Sequence, residues 1–175
     1  MREAVRSASR SALLAALVAP LLVMSPRASS ADGRGLLVEP RLGPLAHRTV
    51  ERAAARLAVP GCAMLLEDFA DIRSGQPLSA TLAASGRGPS DLFASLRFVD
   101  ADHMVQCRYR KTWAWLPVGG DVVFVCRARF LSLVRKDEWL AGNVLVHEAL
   151  HSLGLGENPP SSEEITAAVV RRCGR

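Results

Sequence analysis

Several common signatures of function are missing from these 175 residues. Basic residues are scattered and form no clustered stripe, so nothing marks the chain as a nucleic-acid binder. The four cysteines contain no C-x-x-C pair, which removes the usual arrangement of a structural zinc site. There is no internal repeat and no low-complexity block, which sets solenoids and arrays aside. The one long apolar run, Ser11 to Val23, is too short to span a bilayer comfortably and is broken by Pro20. No cysteine follows it closely, so a lipid anchor is not expected. The length leaves room for one domain.

What is present begins with that apolar run. Arg2, Arg6 and Arg10 precede it, and the small residues Ala28-Ser29-Ser30-Ala31 follow. A charged start, an apolar middle and a small-residue cleavage site are the parts of an export signal. Residues 1–31 therefore read as a signal peptide cut after Ala31, and residues 32–175 as one exported domain, secreted or periplasmic. The alternative is an uncleaved membrane anchor. Setting the leader aside removes four arginines and one glutamate and lowers the net charge from +5 to +2. Charge then says little about a partner.

Cys62, Cys107, Cys126 and Cys173 make an even count in an exported chain, which points to two disulfides. Three connectivities are possible. The preferred pairing joins Cys107 to Cys126 across neighbouring strands, and Cys62 to Cys173 between the early chain and the last helix.

Along the chain, residues 32–43 lack a period and read as an extended arm. Pro44 to Ala58 is polar on one face and small-apolar on the other at helical spacing, and Pro60-Gly61 ends it. Cys62 to Ile72 fits a short helix or a strand. Turns follow at Ser74 to Pro77 and Gly86 to Ser90. Leu92 to Val99 and Val105 to Arg110 alternate like strands, Trp113 to Val118 is interrupted by Pro117, and Asp121 to Cys126 is the best strand. These imply a small antiparallel or mixed sheet. Arg127 to Val134 is a connection of one or two helical turns. Asp137 is placed to N-cap a long helix running to about Leu153, which Gly154 stops. Trp139, Val146, Leu150 and Leu153 would face the core, beside a stripe of Leu140, Val144, His147 and His151. Ser161 and Glu164 have capping-box spacing at the start of a final helix.

The long helix carries His147-Glu148-Ala149-Leu150-His151, an H-E-x-x-H sequence. Four residues are close to one turn, so both imidazoles leave the same helix face and can share one Zn²⁺. Glu148 can then act as general base on a metal-activated water. The ordinary reading of such a pattern is an amphipathic helix with two surface histidines. The apolar Val144-Leu145-Val146 before it favours a buried helix.

From His147 to Glu157 the sequence resembles the zincin metallopeptidases. Its H-E-x-x-H-x-x-G-x-x-acid form is similar to metzincins and to snapalysin-like secreted proteases. Val125-Cys126 and Phe130 ahead of the helix are similar to aspzincin-type domains. The resemblance implies a zinc-dependent endopeptidase: an α+β fold in which a small twisted sheet packs on the motif helix and its edge holds the substrate. The chain also departs from these patterns. The position that is histidine in metzincins is Glu157, no methionine follows His151, and no Gly-Thr-x-Asp segment is present. The third ligand is expected to be Glu157, folded back past Gly154, with Glu164 or Glu163 as alternatives.

His103 and Tyr109 are weaker candidates for polarising a carbonyl, and a structural role is the ordinary reading of each. Trp113 and Trp115 share a strand face and could line a groove, although core packing is the commoner role. Asp100-Ala101-Asp102 reads as a turn rather than a calcium site. The expected partner is a peptide or protein substrate, with no nucleic acid and no stable membrane insertion, and a monomer is expected. Two other readings stay open: a non-catalytic zinc-binding module, and a disulfide-stapled structural domain.

Overall fold

Residues 35–174 are described by the computed structural model. The expected signal peptide lies outside them. The helices form where the sequence pattern supplies a buried stripe. Helix α1 (Gly43–Leu57) turns Ala46, Val50, Ala53 and Leu57 to the core and Arg48 and Arg52 outward. Short helices α2 (Pro60–Ala63), α3 (Leu65–Asp68) and α4 (Leu78–Ala84) follow. Strands β1 (Leu37–Val38), β2 (Arg97–Asp100), β3 (Ala114–Trp115) and β4 (Val122–Val125) form one mixed sheet in the order β1-β2-β4-β3. The first three strands in that order run parallel, and β3 is the antiparallel edge strand. Helices α5 (Arg127–Lys136), α6 (Glu138–Ser152) and α7 (Ser162–Cys173) complete an α+β domain. No helix among the described residues is long and apolar enough to cross a membrane.

Helix α6 is the central element, packed against α1, α5, α7 and β3. Ala141 to His151 are buried on nearly every side, apart from half-buried Val144. Each fully buried leucine there, Leu145 and Leu150, contributes roughly 1.5–3 kcal/mol. Asp137 caps the helix as its position suggested, accepting the Leu140 N–H at 2.9 Å. Arg56 of α1 ties the two helices together. Its guanidinium donates to Trp139 O at 3.1 Å and to buried Asn143 Oδ1 at 2.6 Å, and it lies 3.6 Å from the Trp139 ring centre. Trp139 is thus half-buried under an arginine rather than in the core.

Both disulfides pair as expected: Cys62–Cys173 joins α2 to α7, and Cys107–Cys126 closes the segment containing β3 and β4. The expected elements around them need correction. Val105 to Arg108 is a 3₁₀ turn, not a strand, and the place beside β4 is taken by Ala114–Trp115. Leu92, Phe93 and Leu96 are all buried, a spacing that a tight helical turn satisfies, so the strand there begins only at Arg97. The connection after Cys126 is a ten-residue helix.

Candidate metal centre

The site lies on the C-terminal half of α6. His147 and His151 are buried, and their Nε2 atoms face each other at 3.1 Å. The helix ends where Gly154 takes φ = 96°, a conformation that side-chain-bearing residues rarely adopt. The chain then doubles back. His151 Nδ1 lies 2.7 Å from the Leu155 carbonyl, which can only accept, so Nδ1 carries a proton and Nε2 is the nitrogen left to bind a metal. His147 Nδ1 lies 3.0 Å from the Thr166 hydroxyl on α7. Burial, then the neighbouring His151, pushes the His147 pKa down to about 4, while Glu157 opposes both. At neutral pH the His147 imidazole is therefore uncharged, the form that binds metals.

The returning loop brings Glu157 Oε1 to 3.4 Å from His147 Nε2 and 3.5 Å from His151 Nε2. His147, His151 and Glu157 form a group that could hold a metal ion. The loop is braced from outside: Ile72 N–H donates to Gly154 O at 3.0 Å. A methyl group on Gly156 would lie 2.5 Å from Ile72 Cγ2. The alternative acids are occupied elsewhere. Glu164 accepts from the Ser161 N–H and hydroxyl in the expected capping box, and these bonds hold its carboxyl below the usual range. Glu163 is exposed on the same turn.

Glu148 is buried, and burial raises its pKa to about 8; the negative charge of Glu157 adds to the rise, and the Leu116 N–H on its carboxylate opposes it. It lines a cleft of about 480 Å³. Trp113, Trp115 and Leu116 form one side, Leu140, Val144 and the motif residues of α6 the floor, and Ser162 and Thr166 of α7 the other side. The edge strand β3, not β4, therefore borders the site. Strand β4 is closer to α6 in sequence but sits one place inward in the sheet. Trp113 and Trp115 both line the cleft, and Trp115 also stacks on Phe124 with ring centres 4.2 Å apart. His103 and Tyr109 are exposed and lie outside the cleft lining. Thr166 and the Leu116 N–H had no local sequence signal, since only packing brings them to the motif.

Fold and site together define an α+β domain with two buried histidines and an exposed glutamate that together could hold a metal ion in a cleft. Comparison with protein-family models, curated proteins and solved structures finds no match for this chain.

Proposed function

We propose that the chain is a zinc-dependent peptide hydrolase of zincin type. The observation that carries this reading is the convergence of His147, His151 and Glu157 beside a buried Glu148. Ligands at about 2.0–2.1 Å from zinc in tetrahedral array are about 3.3–3.4 Å apart. The three separations here, 3.1, 3.4 and 3.5 Å, fit that figure. Three protein ligands leave a fourth position open, as catalytic sites require. Zinc, when bound, supplies Lewis acidity to the scissile carbonyl and makes water a nucleophile at neutral pH.

The protein's own residues do the rest. Leu155 O and Thr166 Oγ1 hold the two imidazoles with their Nε2 atoms toward the site. Glu148 receives the proton of the attacking water and passes it to the leaving amine. A cation held by the three ligands would oppose both causes that raise its pKa and favour the ionised form that role needs. The outer edge of β3 offers main-chain donors and acceptors to an extended peptide lying along the cleft. The two disulfides fit an oxidising compartment, and with the leader-like residues 1–31 they support action outside the cytosol.

The test is Glu148→Gln. The variant should retain one equivalent of zinc and lose at least about a hundredfold in kcat on a cleavable peptide, the range of a lost general base. Full activity in that variant would rule the assignment out.

A further inference from the structure

On Trp113 the cleft adjoins a second trough of about 370 Å³ with a different character. Its lining includes Arg110, Arg129 and Lys136, while Lys111 lines the cleft itself. Among the described residues none of these four cations has a carboxylate partner. Arg129 donates to the Arg108 and Tyr109 carbonyls, and the acids flanking α5 are engaged elsewhere. Asp100 and Asp102 face Arg127, and Asp137 accepts the Leu140 N–H. The chain beyond residue 31 has a net charge of only +2, so three cations in one trough with a fourth in the adjoining cleft, none paired to a carboxylate, are a local feature and not a by-product of a basic protein.

We propose that this trough is a specificity subsite for acidic side chains of the peptide, resting on the reading of the cleft as a peptide site. Trp113 lines both cavities and so sets the trough beside the cleft. From Trp113 to Leu116, whose N–H touches Glu148, is three residues along and beyond β3. At about 3.3 Å per residue that is roughly 10 Å. A Glu or Asp about three residues from the scissile bond, on the Trp113 side, reaches the cations. A free peptide edge beside the trough favours polypeptide over nucleic acid or lipid, neither of which pairs with a strand.

The test is binding without turnover, using zinc-loaded Glu148→Gln protein and labelled peptides that share a central sequence. Three residues on one side are Glu, Gln or Lys. In 50 mM salt the Glu peptide should bind about tenfold tighter than the Gln peptide and the Lys peptide weakest, with the preference collapsing in 500 mM salt. Adding Arg110→Glu and Lys111→Glu, both exposed, should invert the order while leaving zinc affinity unchanged. Equal affinities, or a preference that survives the charge reversal, would overturn the subsite. So would tighter binding by a short single-stranded DNA or by anionic phospholipid vesicles through the same two residues. Cleavage by the unmodified protein separates the two claims. Acidic preference in binding with no peptide cut refutes the hydrolase and keeps the subsite; equal cleavage of all three peptides with flat binding does the reverse.

Discussion

Replacing Thr166 by valine tests whether the site is built for a metal or merely packed. Thr166 Oγ1 is 3.0 Å from His147 Nδ1, on a half-buried position of α7. Valine is β-branched and similar in size, so the helix itself changes little. In the metal-free protein the variant has an escape. His147 can carry its proton on Nε2 and donate it to His151 Nε2, 3.1 Å away. A metal-bound His147 needs that lone pair, so the proton must stay on Nδ1, now facing no partner. The cost of a buried unpaired donor, about 1–3 kcal/mol, therefore falls mainly on the bound form. Zinc affinity should drop about 10- to 100-fold, the usual weight of an outer-shell hydrogen bond. Thr166→Ser should come within about threefold of the unmodified protein, because the hydroxyl remains. Competition against a chromophoric chelator at pH 7 measures both, and urea unfolding of the metal-free variant should shift by less than about 1 kcal/mol. Unchanged zinc affinity in the valine variant would show that this hydroxyl does not orient His147, and the reasoning would fail.

Three further outcomes are expected. Removing Cys62–Cys173, which closes 111 residues, should cost about 5 kcal/mol in the chain-entropy model, against about 3 for Cys107–Cys126 across 19; denaturant unfolding of the two double-alanine variants ranks them, and a reversed order would count against that model here. Gly156→Ala should weaken zinc binding several-fold by pushing the Glu157 loop off Ile72, and adding Ile72→Ala should restore it; a loss that persists in the double variant would place the cause elsewhere. The Arg172 guanidinium, 2.7 Å from both carboxylate oxygens of Asp68, holds that carboxyl below its usual range. Its contribution is present above the unfolded pKa of about 4 and is lost as pH falls through the folded value. Urea midpoints at pH 5 and pH 3 should thus differ more for the unmodified protein than for Asp68→Asn, and equal differences would remove the pair from the acid response.

Local geometry made part of the site legible in advance. His147, Glu148 and His151 sit on one helix, where spacing alone dictates which side chains share a face, and Asp137, Gly154 and the Ser161–Glu164 box mark helix ends through bonds that span three or four residues. Export context and an even count pointed to two disulfides but left three connectivities; the preferred pairing is the one that forms, with Cys107 reaching its partner from a 3₁₀ turn rather than a strand. The sheet was harder to read. Alternation at Val105 to Arg110 looked like a strand, yet pairing is a long-range contact that alternation does not record, and the place beside β4 went to Ala114–Trp115.

The sequence by itself determined the motif helix, its caps and the two imidazoles aimed the same way, because each depends on neighbours within about one helical turn. Only the tertiary structure decided that Glu157, and not Glu164, meets those imidazoles, since Gly154, Gly156 and Ile72 set the path of the loop. It also decided that Thr166 supports His147, that the Leu116 N–H meets Glu148, and that Trp113 lines both the cleft and a trough of cations without carboxylate partners. Those partners come from separate elements of the chain. What brings them together is the packing of α6 between its neighbours, which no local spacing records.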